Sequence, residues 1–506
     1  MCKLKQQSMF TKMKNKPILF KLYSLILLYV SLTCSAQCSY TLKDILDKVM
    51  YNSPGFQLYK IQTEIDKRTY EINIASLNPS ISASFSGPSY SQTISPISQP
   101  DGSIKYLQIN NLQSTFSLNT IVPIELTGGQ LLLNSNLSMY KNNSAYNAST
   151  SYSLNYYRLS YSQPLDFFSI NKWNRQIAKA NRSKAEIEQT EYIFDLKHKT
   201  LQLFFNIIQK RSNIKQLKHQ KLSLQKLYTL SKIAYTTGRM LETDLESIAL
   251  KILSYENQIK IKGEELKKLF NLLSIETNLD FIPEEDNFIC PEPPVFTIDT
   301  EFAIFRLNDK IESLYKSQLL SQQRTSSQLK HRRWGNASLS MGIGLNASSE
   351  DLKGLYRNKT SDYNVSFNYS YPLTSWSSQK KEYEQSKLTH KKTLINKQRY
   401  TEEQKVELLD LISTLELNNE TYSYLQRQKQ LLQNEERIKT NLFQAQHIIF
   451  KELEEIIDQQ IQNEQNIIQT IANAYLNICQ IEKMILTNIL FVSATEYDRL
   501  KLWRDD

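Results

Sequence analysis

From Ile193 the apolar positions recur at alternating spacings of three and four, through Leu196, Leu203, Ile207, Ile214, Leu217, Leu224 and Tyr228, with polar lapses at Thr200, Lys210 and Lys221. This is the seam of a coiled coil. A second seam runs through Leu408, Leu411, Leu415, Tyr422, Leu425 and Leu432 and lapses at Asn418 and Lys429. Between seam positions Lys, Gln and Glu predominate, so each helix is expected to keep a wet face. Proline and glycine placement fits this pattern. Residues 165 to 282 and 373 to 506 contain no proline, and the only glycines in them are Gly238 and Gly263. The spacing predicts a helix over 168–235, about 100 Å long at about 1.5 Å per residue. A rod of that length has to pack sideways against others.

Ahead of these stretches the period changes to two. Tyr363, Val365, Phe367, Tyr369 and Tyr371 alternate with Asn and Ser, and Leu339, Met341, Ile343 and Leu345 alternate with Ser, Gly and Asn. Strands with one apolar and one small polar face are those that transmembrane barrels use. Ile81, Ala83 and Phe85, then Leu133 to Met139, then Tyr152 to Tyr161, predict an equivalent pair earlier in the chain. Residues 91–112, with Pro96, Pro100 and Gly102, read as a loop. Two hairpins make four strands, whereas the smallest membrane barrel needs about eight. One chain is therefore not enough to close a wall, and several copies are expected to share it.

The chain also matches itself. Gln163-Pro164-Leu165 corresponds to Tyr371-Pro372-Leu373, and Leu245 to Leu453, at one offset; Asn52 corresponds to Asn308, and Asn78-Pro79 to Trp334-Gly335, at a larger one. Extra length inside the first hairpin accounts for the difference. The expected division is a signal peptide over 1–36, a first repeat over 37–282, a linker over 283–300, a second repeat over 301–487 and a tail over 488–506. Each repeat reads as helix, two strands and two long helices.

Charge and targeting narrow the class. Lys12, Lys14, Lys16 and Lys21 precede the apolar run Leu22–Leu32, with Cys34-Ser35-Ala36 at the expected cleavage point, the layout of a secretory signal. Six of the 61 basic residues and none of the 51 acidic ones lie there, leaving 55 against 51 and no case for a nucleic-acid partner. Beyond it no apolar stretch reaches the roughly 18 residues of a spanning helix, so a membrane crossing would have to be made of strands. Cys38, Cys290 and Cys479 have no short-spaced partners, which fits neither a zinc site nor a disulfide framework; lipidation at Cys38 or Cys34 stays open. There is no phosphate loop, no nucleophile elbow and no metal-spaced histidine pair, so neither an enzyme nor a cofactor is expected.

The order and duplication of Asn52-Ser53-Pro54, Asn78-Pro79, Gln163-Pro164-Leu165, Tyr371-Pro372-Leu373, Tyr235-Thr236-Thr237-Gly238 and Asp244-Leu245 resemble the TolC-like outer-membrane efflux protein family over residues 41–485. The resemblance implies a mainly α fold with a small transmembrane β part: a homotrimer whose strands, four per protomer, form one barrel in the outer membrane of a Gram-negative bacterium, continued by a coiled-coil tunnel in the periplasm. It implies passive conduction, with a periplasmic adaptor protein and an inner-membrane pump as partners in a tripartite efflux or type I secretion system. A coiled-coil adaptor or structural subunit without a barrel would share the helices but not the strand pairs.

On this resemblance Glu452 and Glu455, three apart on one helical face, are candidates for an acidic ring at the periplasmic mouth. The same carboxylates, with Glu454 and Lys451 beside them, also suit an ordinary solvated helix face. Gly238, Arg239, Glu242 and Asp244 at the first helix turn, and Gln446 and His447 at the second, are candidates for adaptor contact. The second turn departs from the family, which usually has a glycine there. Pro164 and Pro372 mark the barrel exits. Tyr161, Tyr363, Phe367, Tyr369 and Tyr371 suit an interfacial girdle, and Trp173 and Trp376 a periplasmic interface.

Overall fold

The structure, a computed structural model, describes residues 39–489 apart from 99–100, 144–147, 167, 238–240, 282–286, 295–297, 333–334, 358, 372, 374–375, 446 and 449. The signal region, Cys38, Gly238, Arg239, Pro372, Gln446 and nearly all of the tail lie outside the described residues. The described residues form two compact bodies, one within residues 39–59, 192–298 and 409–489, the other within residues 60–191 and 299–408.

The first body is helical. Strand β1 (Ser39–Tyr40) leads into α1 (Leu42–Asn52) through a capping box, in which the Thr41 hydroxyl accepts from the Asp44 amide and Asp44 accepts from the Thr41 amide. Ser53 ends α1 in an extended conformation and then caps α2 (Pro54–Ala75), its hydroxyl accepting from the Phe56 amide at 2.9 Å. Proline at the first helical position costs nothing, because that amide has no partner within the helix. Asn52-Ser53-Pro54 is thus a helix break. Both long rods form as predicted: α3 (Ile170–Thr236) followed by α4 (Glu242–Thr277), and α6 (Trp376–Gln444) followed by α7 (Phe450–Ile485). Within this body the seam residues Leu196, Leu203, Ile207, Leu217, Leu224, Leu415, Leu425 and Leu432 are buried.

Four of the five polar lapses in the seams have partners, while the Asn418 amide nitrogen is buried without a hydrogen bond. The Thr200 hydroxyl bonds back to the Leu196 carbonyl, Lys210 pairs with Glu265, Lys221 with Glu256, and Lys429 with Glu464 at 2.7 Å. Each lysine lies opposite an acid on a neighbouring helix, which fixes register where an all-apolar seam would slide. Strand β1 pairs in parallel with β6 (Asn287–Phe288), and Tyr40, Phe204, Phe270, Phe281 and Phe288 cluster around them with ring centroids 5.4–6.3 Å apart. Nearby, Lys197 on α3 and Glu482 on α7 form an ion pair with almost no exposure.

The second body holds one open antiparallel sheet with β2 (Ser80–Ser98), β3 (Ile104–Pro123), β4 (Gln130–Asn143), β5 (Ala148–Pro164), β7 (Asn336–Ser349) and β8 (Lys359–Ser370) in that order. Six strands replace the four expected from the sequence, and residues 91–112, expected as a loop, belong largely to β2 and β3. The alternation there is interrupted by a register shift between Ser86 and Ser89. That slip moves the apolar positions from odd to even numbers and hides the strand from a period-two reading.

The turn after β3 is fixed by three devices. The Ile124 amide donates to the Gly129 carbonyl, Gly128 takes φ 74° where a Cβ would strike the Phe168 carbonyl, and Glu125 pairs with Arg175 at the start of α3. Helix α5 (Thr300–Arg332) leads into β7 and lies against α6, with Gln322 donating to Thr393 at 2.7 Å and Tyr315 facing Tyr400. Among the described residues no helix is long and apolar enough to cross a membrane.

Lys197 also donates to the Asn488 amide oxygen at 3.1 Å, but removing Glu482 leaves the desolvated Lys197 charge without a counter-charge. Glu482→Ala is expected to lower unfolding stability by about 3–5 kcal/mol, while Lys197→Met combined with Glu482→Leu recovers most of the loss. Denaturant titration of the two variants measures both. A loss under about 1 kcal/mol for Glu482→Ala would contradict this reading of the pair.

Candidate pore wall and helical tip

The strand register sorts the sheet into two faces. One cross-strand row is Ile81, Thr120, Leu133, Leu159, Ile343 and Tyr363; another is Phe85, Phe116, Leu137, Leu154, Ala347 and Lys359. The rows between them are polar: Ser82, Asn119, Asn134, Arg158, Gly344 and Asp362, then Ser84, Ser117, Asn136, Asn155, Asn346 and Thr360. Within the polar face Asn134 donates to Asn119, and Arg158 pairs with Asp362 at 2.8 Å. The opposite face leaves large apolar groups open, Val365 at 73% exposure and Phe85 at 67%. That is the reverse of what a sheet in water does, and it suits lipid on one side and water on the other.

At the end of β5, Gln163 is buried. It donates to the Thr127 carbonyl at 2.8 Å and accepts from the Tyr161 hydroxyl at 2.6 Å. Together with Pro164, which supplies no backbone donor, it closes the strand against the turn after β3. Tyr363, Phe367, Tyr369 and Tyr371 are exposed and Trp173 is half-buried. The Trp376 side chain lies outside the described residues.

In the helical body, α3 ends at Thr236 and α4 begins at Glu242 without a side-chain cap at Leu241. Glu242 and Asp244 are exposed in its first turn, where carboxylates complement the positive end of the helix dipole. At the second turn the His447 amide donates to the Leu442 carbonyl at 2.9 Å, and the His447 side chain is exposed. Glu452 and Glu455 are exposed on α7, while Leu453, Ile456 and Ile457 on its other side are buried.

Next to Glu452 and Glu455, α7 carries two further acids that have partners on α4. Glu454 pairs with Lys251 of α4, which also reaches Asp458 at 3.4 Å. The Tyr255 hydroxyl donates to the same Asp458 at 3.4 Å, and Leu217, Leu224, Ile248, Leu453 and Ile457 pack around its ring. Lys251 and Tyr255 are four residues apart, as are Glu454 and Asp458. That spacing on two helices is the sequence signal that was available.

Burial alone would lower the Lys251 ammonium, but the hydrogen bond it donates to Glu454 and the charges of Asp458 and Glu454 outweigh it and raise it above 10.5. Burial, helped by the Asp458 charge, pushes the Tyr255 phenol above its ordinary value of 10.0. A cation raised on folding contributes its full stabilisation below 10.5 and loses it only as pH climbs through the raised value; a phenol raised on folding likewise favours the folded tip until the solution is strongly alkaline.

Similarity to solved structures spans nearly the whole chain. The Campylobacter jejuni CmeC outer membrane channel superposes with a TM-score of 0.64 at 16% identity, covering 92% of this chain and 89% of that one. The outer membrane protein VceC of Vibrio cholerae gives 0.63 at 10% identity over 88% and 95%. The open state of the Neisseria gonorrhoeae MtrE outer membrane channel gives 0.57 at 12% identity over 88% and 89%. The fold is the TolC-like outer-membrane channel fold. At the level of sequence, no family model matches the chain and no curated protein resembles it. The TolC-like fold is therefore kept here by seams, breaks and strand periodicity, which tolerate exchange of individual residues.

Lys251→Met is expected to loosen α4 from α7 in this TolC-like chain. At neutral pH amide exchange in residues 248–258 and 453–461 should rise roughly fivefold, about 1 kcal/mol for a partly exposed charged pair. Hydrogen-exchange mass spectrometry reads it; unchanged protection would show that apolar packing alone holds the tip.

Proposed function

We infer that the chain is the outer-membrane channel-tunnel of a tripartite efflux or type I secretion system and is not an enzyme. The observation that carries this reading is the sheet with one continuous polar face and one open apolar face, in a chain whose fold matches outer-membrane channels. A helical adaptor without a barrel leaves that sheet without a purpose.

On this reading the signal over 1–36 sends the chain to the periplasm, and three copies share one barrel in the outer membrane of a Gram-negative bacterium and one helical tunnel in the periplasm. Conduction is passive, and energy and choice of cargo rest with an inner-membrane pump. Glu452 and Glu455 from three copies place six carboxylates around the tunnel mouth, where they attract cations and bind a divalent ion. Gly238, Arg239, Glu242 and Asp244, with Gln446 and His447, meet the coiled-coil adaptor. The Lys251–Glu454–Asp458 tether keeps the mouth narrow by holding α4 to α7.

Two experiments test the reading. Purified from outer membranes, the protein should run as a trimer and conduct in planar bilayers, and Glu452→Ala combined with Glu455→Ala should relieve divalent-ion block at least severalfold; a non-conducting protein overturns the function, and unchanged block removes the ring. In the sheet, Val365→Arg on the apolar face should cost about 2–4 kcal/mol and deplete assembled trimers, whereas Ser366→Arg on the polar face should be tolerated. Equal effects of the two on trimer yield would contradict the assignment of lipid and water faces.

A further inference from the structure

The duplicated sequence requires one hairpin between the entry at Asn78-Pro79 and the exit at Gln163-Pro164-Leu165, as β7–β8 lies between Trp334-Gly335 and Tyr371-Pro372-Leu373, whereas the chain places four strands, β2–β5, in that interval; the pair β2–β3 is the one at the free edge of the sheet. Added strands have three possible fates: to lie over the rim, to plug the lumen, or to widen the wall. We propose that the β2–β3 hairpin is part of the barrel wall, so that each copy contributes six strands and a three-copy barrel has eighteen. This rests on the channel reading above.

Three features favour the wall. First, β3 pairs with β4 without a break from Asn111–Asn142 to Pro123–Gln130, as a wall strand does and a plug does not. Second, the hairpin continues both faces in register: Phe85 and Phe116 extend the apolar row of Leu137 and Leu154, and Ser84 and Ser117 extend the polar row of Asn136 and Asn155. A plug surrounded by water has no use for Phe85 and Phe116 on one face. Third, the turn between β3 and β4 is anchored at the same end as the helices, by Glu125 on Arg175 and Thr127 on Gln163. A hairpin folded over the rim would not place that turn there.

The sheet ends at β2 on one side and β8 on the other, and in lipid both edges need partners. Six is even, so β8 of one copy meets β2 of the next antiparallel, and head-to-tail repetition closes the ring. Pro88 lacks an amide hydrogen, which confines the first stretch of the new ladder to Ser80–Ser86. Barrel diameter grows roughly linearly with strand number, so the pore is about one and a half times as wide as a twelve-stranded one.

Disulfide cross-linking in outer membranes tests this with the full-length protein. Cysteines on the polar face of β8, at Ser366 or Asn368, are paired with cysteines on the polar face of β2, at Ser82 or Ser84, or of β4, at Asn134 or Asn136. The expected result is covalent trimers from the β8–β2 pairs, none from β8–β4, and single-cysteine controls without product. Covalent trimers from β8–β4 instead would overturn the wall assignment while leaving the channel reading intact, because the hairpin would then lie outside a twelve-stranded ring. Absence of any oligomer by native mass, with no cross-link from either set, would overturn both. Projection images of the assembled barrel give an independent readout: a diameter matching twelve strands contradicts the proposal.

Discussion

A peptide group in hydrocarbon has no water to bond, so a sheet in a membrane keeps its free edges only at a cost of several kcal/mol for each unsatisfied group. The other features of this chain follow from that constraint. A sheet of six strands with edges at β2 and β8 cannot remain single in lipid. Its apolar face is open where a water-soluble protein would bury it, and its polar face carries serines, asparagines and one Arg158–Asp362 pair where a core would be dry. On the channel reading proposed above, copies joined edge to edge would satisfy the backbone, turn Phe85 and Val365 toward lipid and enclose the asparagine rows around water.

The helical body answers a different constraint. Rods of 67 and 69 residues expose far too much surface to stand alone, and their seams bury leucines against neighbouring helices. Register along such rods is set by the polar lapses, where Lys210, Lys221 and Lys429 each find an acid on a facing helix. Near the tip the same device gathers Lys251, Glu454, Asp458 and Tyr255. An ion cluster is a weak stabiliser when partly exposed, and that would suit the tunnel mouth proposed above. Packing of Leu453 and Ile457 beneath it supplies most of the hold.

Periodicity made the long helices, β7 and β8 legible from sequence, because a seam of threes and fours or a strict alternation leaves few other structures. The break at Asn52-Ser53-Pro54 was legible through the family resemblance, of which it is one of the matching features. The first hairpin was not. Pro96, Pro100 and Gly102 read as loop chemistry, and the shift between Ser86 and Ser89 moves the apolar positions of β2 from odd to even numbers while each face continues. Only the pairing with β3, and of β3 with β4, recovers the pattern. The tip cluster was missed because Lys251 and Asp458 are 207 residues apart, and charges on wet helices look alike until their neighbours are known.

The two-faced wall is tested most directly by nitroxide scanning along β5 in reconstituted membranes, from Ser153 to Ser162. Collision with oxygen, which dissolves in lipid, should peak at Leu154, Leu159 and Tyr161, and collision with a water-soluble nickel chelate at Asn155, Arg158 and Ser160, with a period of two that slips by one residue at the irregularity between Asn155 and Tyr157. Equal accessibility of all positions to the nickel chelate would mean that the sheet lies in water, and would contradict the account.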